Sequence, residues 1–281
     1  MQSFPLISII VPCHNQGQYL EECLQSVLDQ TYLNWECIIV NDGSPDDTEK
    51  VANKWVQKDK RFKYLYKENG GLSSARNAGI SVAQGIYILP LDADDKIGKS
   101  YLELAFAEFK MNTSLKIVYC EAEKFGEQNG LWKLPEFSLK ILATTNVIFC
   151  SAFFKKSDWE KVGGYDENMV NGLEDYEFWI HILKLGGTVK KINQICFFYR
   201  IKKESMIRMM SVESKKKTFE YLSIKHADFF VKQLGSFHYL QTQMELKEIC
   251  FQDKVQSEKF LIDALLDRLF GFTFFGNSFK Q

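Results

Sequence analysis

The 281-residue chain lacks paired cysteines, long apolar runs, internal repeats and any sizeable net charge. Its seven cysteines are scattered, with no CxxC pair and no metal-like spacing. Most sit in apolar runs, which predicts buried free thiols in a reducing compartment and excludes a disulfide framework. No run approaches the roughly 18 apolar residues that a membrane-spanning helix needs. The run Leu6 to Val11 is too short for a signal peptide and has no basic region before it. A cytoplasmic protein is therefore expected, with peripheral contact at the inner face of a membrane still open. A net charge of −1 removes any global drive toward nucleic acid. With 46% hydrophobic and 14% aromatic residues there is material for one large core, alone or with an appendage.

What the chain does have is alternation. Leu6 to Val11 is apolar on both faces and reads as a central strand of a parallel sheet, stopped by Pro12. Tyr19 to Asp29 has helical spacing, and Trp35 to Val40 is a second buried strand ended by Asn41-Asp42-Gly43-Ser44. Ser44-Pro45-Asp46-Asp47 predicts a helix start with Ser44 as cap, the helix running to about Gln57. Phe62 to Leu65 is a third strand. Ser73 to about Gly85 is a helix, followed by the strand Ile86 to Pro90. Four strand–helix alternations in about ninety residues predict a doubly wound α/β sheet. In such sheets ligands collect at the carboxyl ends of the strands. Pro12-Cys13-His14, Asp42-Gly43 and Asp92 to Asp95 all lie just past strand ends, so they converge on one crevice.

The second half is less regular. Helices are expected at Tyr101 to Phe109, Lys156 to Val162 and Tyr176 to Leu185. Strands are expected at Ile117 to Cys120, Val147 to Phe154, Thr188 to Ile192 and Ile195 to Tyr199. Residues 121–145 read as loop and hairpin. From about Ser211 the pattern is helical, with breaks at Gly235 and Gly271. The expected organisation is a domain at 1–210, its halves 1–98 and 99–210, then a helical extension at 211–281.

Leu91-Asp92-Ala93-Asp94-Asp95 places three carboxylates in four residues directly after a buried strand. Burying like charges without a counter-ion costs several kcal/mol each. A hard cation such as Mg2+ or Mn2+ would supply the missing charge and bridge to phosphate oxygens. A solvated acidic turn is the competing reading. Asp42 suits a base N–H or, equally, a turn. Arg76 lies near a helix start, where the dipole disfavours a cation, so a role facing an anionic ligand is favoured. Glu174-Asp175 sits at an expected helix N-terminus, as caps or as a general base.

Five segments together resemble family 2 glycosyltransferases of the GT-A fold. They are Ser8 to Asn15 with Tyr19 to Val27; Asn41 to Asp46 with Thr48; Gly71 to Gly79; Leu91 to Asp95, similar to the DxD motif; and Gly163 to Glu167 with Gly172 to Trp179, similar to the ED motif. The resemblance implies a Rossmann-like, mostly parallel sheet and inverting transfer from a nucleotide-diphosphate sugar, usually UDP-linked, to a saccharide or lipid-linked saccharide. Implied donor contacts are Pro12, His14, Asp42, Gly71, Arg76, Asp92, Ala93 and Asp94. Asp94 and Asp95 are implied for Mn2+ or Mg2+, and Asp175 with Glu174 for catalysis. Work in surface polysaccharide synthesis is the expectation. Relatives that carry a histidine after the segment matching Phe198-Tyr199-Arg200 differ from this chain, where Lys202, Lys203 and Arg208 form either a loop that touches the diphosphate or a solvated basic loop. A silent nucleotide-sugar-binding regulator on the same fold is the alternative.

Residues 184–217 carry ten Lys or Arg against Glu204 and Glu213. That excess suits anionic headgroups, a lipid-diphosphate acceptor or plain solvent. The aromatic-rich tail from Phe260 to Phe275 suits a membrane surface, a second subunit in a homo-oligomer, or packing onto the catalytic domain.

Overall fold

The computed structural model describes residues 6–203 and 210–276. The expected phosphate-facing Arg208 lies outside them. Two compact units divide the chain, Met1–Phe229 and Phe230–Gln281.

The first unit is built on β1 (Ile7–Cys13), β2 (Trp35–Asp42), β3 (Phe62–Lys67) and β4 (Tyr87–Pro90). These four pair in parallel in the order β3-β2-β1-β4. Every residue of β1 and β2 is buried, because α1 (Gly17–Leu28), α2 (Thr48–Lys58) and α3 (Leu72–Val82) cover the sheet. The fit of α3 is tight. A Cβ on Gly79 would stand 2.5 Å from Ile10 Cγ2 and 2.8 Å from Val40 Cγ2. A larger residue there would push the helix off the sheet. At the far side of the sheet, Trp35 and Trp55 meet Phe62 edge-on with centroids 5.3 and 5.1 Å away.

Beyond β4 the sheet becomes mixed. Further elements are β5 (Lys96–Ile97), α4 (Tyr101–Met111), β6 (Leu115–Gly126), β7 (Gly130–Trp132), α5 (Leu139–Leu142), β8 (Phe153–Lys155), α6 (Lys156–Val162), α7 (Glu174–Lys184) and β9 (Thr188–Ile201). β8 joins β4 antiparallel and is followed by β6, β9 and β5, with β7 folding back on β6. β9 is one 14-residue strand, where two strands were expected. Its pairing with β6 shifts register around Cys120–Ala122, which absorbs the expected break at Asn193-Gln194. Helix α2 starts at Thr48, and Ser44 does not cap it. Ser44 Oγ instead donates to Cys13 O (3.1 Å) and accepts from Asn15 N (3.2 Å), tying the β1 and β2 loops together. Asp46, one residue before the N-cap Asp47, accepts from Thr48 N (3.1 Å) and holds the helix start.

Helix α8 (Val212–Lys225) belongs to the first unit, and α9 (Ala227–Leu234) follows it. The second unit carries α10 (Phe237–Gln256) and α11 (Glu258–Phe270). Gly235 and Gly271 break these helices at φ +97° and +73°, as expected. Buried Asp263 accepts from Phe274 N and Phe275 N, at 2.6 and 2.9 Å, and turns the chain after α11. Among the described residues no helix is long and apolar enough to cross a membrane.

Candidate active site

A cleft of about 550 Å3 opens over the carboxyl ends of β1, β2 and β4. Pro12, His14, Asp42, Gly71, Asp92, Ala93, Asp94, Glu174 and Asp175 all line it. The crevice expected from strand ends is therefore where the acidic segments meet.

On the β2 side, Asp42 anchors the turn before α3. Its carboxylate accepts from Gly70 N (3.0 Å), Gly71 N (2.9 Å) and Lys67 Nζ (2.6 Å). Gly71 reaches it at φ +86°, a backbone region that disfavours a side chain. His14 Nδ1 lies 2.9 Å from Asp42 O, and Asn69 Nδ2 lies 2.9 Å from the same nitrogen. This end is a ring of amides, carboxylate and imidazole with both donors and acceptors to offer.

Arg76 was expected to face the ligand. The structure places it beneath the cleft, fully buried at 0% exposure, on the second turn of α3. Nη2 donates to Asp92 Oδ1 (2.7 Å) and Nη1 to Glu174 Oε1 (2.5 Å). One guanidinium thus joins the acidic turn after β4 to the first turn of α7. Neighbouring Asn77 ties down the loop before α7, accepting from Tyr165 N (2.8 Å) and Trp159 Nε1 (3.0 Å) and donating to Tyr165 O (2.9 Å).

Of the three aspartates after β4, Asp92 is bound to Arg76, and Cys150 Sγ donates to its Oδ2 (3.5 Å). Asp94 faces the cleft and forms an ion pair with Lys202. Asp95 lies below the surface at 1% exposure, where Oδ1 accepts from Arg200 N (2.8 Å). Its Oδ2 is buried without a partner among the described residues. Burial, then the charges of Asp94 and Asp92, raise the Asp95 carboxyl well above the usual range. Carboxylate or thiol atoms of Asp92, Asp95 and Cys150 come within 4.8 Å of one another. The Cys150 thiol is itself held protonated by burial and by Asp92. The donor set fits a hard divalent cation in its carboxylate oxygens and the orphaned buried oxygen of Asp95, with Arg76 on Asp92 and Lys202 on Asp94 as the cations already present.

The opposite wall carries Asp175. Gly172 and Leu173 enter α7 at φ +99° and +65°. A left-handed Leu costs about 1–2 kcal/mol and turns the first helical residues into the cleft. Asp175 is half-buried. Oδ1 accepts from Tyr176 N (2.7 Å) and Oδ2 from Asn146 Nδ2 (3.1 Å). Burial and then the Glu174 charge push its carboxyl from 3.8 up to about 7, with Arg76 and the two hydrogen bonds opposing. A carboxylate poised near neutrality suits proton abstraction.

Several cleft residues were not singled out beforehand. Asn146 and Cys150 come from 147–154 and its approach, expected as a strand. The strand there is only Phe153–Lys155. Trp132, Phe149 and Tyr199 form an aromatic wall, with Trp132 centroids 4.7 Å from Tyr199 and 6.2 Å from Phe149. The basic stretch from Lys184 is largely neutralised within the fold. Lys184 pairs with Asp228, Lys190 with Glu108, Lys191 with Glu121, and Arg200 with Glu22.

Residues 8–167 match the family model for glycosyl transferase family 2. The chain belongs to this family. Family 2 relatives include chondroitin synthase of Pasteurella multocida, 34% identical over 69% of this chain but only 20% of that protein. Another is the putative teichuronic acid biosynthesis glycosyltransferase TuaG of Bacillus subtilis, 31% identical over 80% of this chain and 90% of the relative. The chain spans about a fifth to a third of the length of the synthases it matches first. The crystal structure of S. aureus TarS with UDP-GlcNAc superposes with a TM-score of 0.68 at 19% identity, over 82% of this chain and 72% of that one. The family 2 fold is GT-A, as the resemblance implied, with the helical region following it.

Proposed function

We propose that this family 2 chain is an inverting glycosyltransferase that moves a sugar from a UDP-sugar to a hydroxyl of a saccharide or lipid-linked saccharide. The observation that carries the reading is Asp175: a half-buried carboxylate raised to about 7, at the cleft-facing N-terminus of α7, across from the Asp42 and Asp94 ends. A nucleotide-binding regulator has no need of a base tuned this way, which disfavours the silent alternative. Relatives named as a chondroitin synthase and as a putative teichuronic acid biosynthesis glycosyltransferase support a role in surface polysaccharide synthesis.

In this reading the Asp42–His14–Gly71 end receives the uridine and Asp92 the ribose side. Asp94, with Asp95 adjacent, would hold Mn2+ or Mg2+. The bound cation supplies Lewis-acid neutralisation of the departing diphosphate. Lys202, which pairs with Asp94, would meet the same phosphates. Asp175 accepts the proton of the acceptor hydroxyl as its oxygen attacks the anomeric carbon from the face opposite the diphosphate. The new C–O bond forms as the bond to the diphosphate breaks, so the anomeric centre inverts. Glu174 does not touch the reacting atoms; it sets Asp175 through its charge and its bond to Arg76. The aromatic wall receives acceptor sugar rings, whose apolar faces stack on Trp132 and Tyr199.

The direct test is transfer from a panel of UDP-sugars with Mn2+, read by release of UDP. Absence of UDP release with every sugar and acceptor tried would count against turnover. Asp94→Asn is expected to remove the gain in UDP affinity that Mn2+ confers, by at least tenfold in titration calorimetry. An unchanged Mn2+ effect sinks the metal assignment. Trp132→Ala is expected to raise the acceptor KM about tenfold with the donor KM held. A donor-side change instead would move Trp132 out of the acceptor subsite.

A further inference from the structure

On the buried side of α7, away from the cleft, Glu177, His181 and His226 form a second cluster. One oxygen of Glu177 and one nitrogen of each histidine lie within 4.8 Å of one another. His226 Nε2 donates to Glu177 Oε1 (2.7 Å), and His181 Nδ1 lies 3.7 Å from the same oxygen. Glu177 and His226 are both 0% exposed. Their hydrogen bonding is incomplete: Glu177 Oε2 and His226 Nδ1 are buried with no partner among the described residues. Two orphaned polar atoms in one dry cluster cost about 1–3 kcal/mol each.

We propose that Glu177, His181 and His226 bind a structural Zn2+ that clamps α7 to the junction of α8 and α9. Two imidazoles and a carboxylate are the donor types zinc takes, and Mg2+ does not favour. Zinc ligands at about 2.0–2.2 Å sit roughly 3.2–3.5 Å apart, and the present 2.7 and 3.7 Å separations bracket that spacing. Glu177 and His181 lie at i and i+4 on α7, one above the other, and His226 closes the triangle from the chain after α8. Lys225 Nζ, 2.8 Å from Glu177 Oε1, is the one cation in competition among the contacts described. It is also held by Asp166 (2.5 Å), a partner it keeps when zinc engages Glu177. Water completes the fourth position.

The test uses the full chain, stripped with chelator, then given Zn2+ in millimolar Mg2+ to occupy the oxygen-donor site after β4. Metal analysis after gel filtration should find about one zinc per chain. Zn2+ should raise the Tm, and Co2+ in its place should give visible d–d absorption bands. His181→Asn, at a partly exposed position that leaves the buried pair intact, should fold and retain at least tenfold less zinc without the bands. His226→Asn should do the same; if it fails to fold, His181→Asn decides alone. Absence of retained zinc in the parent chain, or equal retention in His181→Asn, overturns the proposal and leaves an ion-pair network only.

Discussion

Replacing Asp175 with Asn is expected to lower sugar transfer about a thousandfold and leave UDP-sugar binding intact. The range for losing a positioned base is about 10²–10⁴-fold. Asn keeps the size of Asp175 and the hydrogen bond from Tyr176 N, so the loss reports proton transfer and not collapse of the α7 start. The pH profile gives a second reading. In the parent, kcat should rise with pH through about 7, because only the ionised carboxylate accepts a proton. Burial first and then Glu174 raise this pKa, and Arg76, Tyr176 N and Asn146 lower it. The variant should lose that limb. Parent-like kcat in Asp175→Asn would reassign the base.

The same carboxyl makes a stability prediction with a definite sign. Its folded value of about 7 lies above the ordinary 3.8. Between those values the unfolded chain releases the proton and the folded one keeps it. Its contribution is therefore favourable at low pH and is lost as pH rises through about 7. Asp175→Asn should have the higher Tm above pH 7, and the difference should vanish at low pH. A catalytic carboxylate held against its own solvation is a common place for activity to cost stability.

How much of this was legible beforehand differs between the two halves of the chain. β1 and β2 announce themselves because a strand covered on both faces must be apolar throughout, and their ends place Pro12 and Asp42 at the edge where β4 brings Asp92. The segment from Val147 carries a similar apolar run yet forms no strand until Phe153. Its carbonyls are satisfied by side chains instead. Trp179 Nε1 donates to Ile148 O (3.1 Å) and Tyr101 OH to Ser151 O (2.8 Å). Two aromatic donors, one from α4 and one from α7, stand in for a ladder, and no local pattern reveals partners that far away. This is why Asn146 and Cys150 reach the cleft unannounced. Arg76 is the same lesson. Its position near a helix start was readable, but its partners lie 16 and 98 residues away.

Replacing Arg76 with Met should be the most damaging single change to stability. The guanidinium is at 0% exposure and answers two carboxylates, Asp92 and Glu174. Removing it leaves both with no counter-charge in a poorly solvated place, and breaking a buried pair this way costs about 3–5 kcal/mol. For a chain of this size that corresponds to a Tm lower by about 10 °C. Arg76→Lys should recover only part, since an ammonium cannot span both partners as a planar fork does. Adding Glu174→Gln to Arg76→Met should cost less than the sum of the single changes, because one stranded charge is removed. Activity should fall further than stability accounts for. With Arg76 gone, the donor-side turn and the first turn of α7 lose their shared anchor, and Asp175 loses the cation that holds its proton affinity down to about 7. The acid limb of any residual activity should therefore move to higher pH. Strict additivity together with an unmoved limb would show that Arg76 serves packing alone and does not couple the two sides of the cleft.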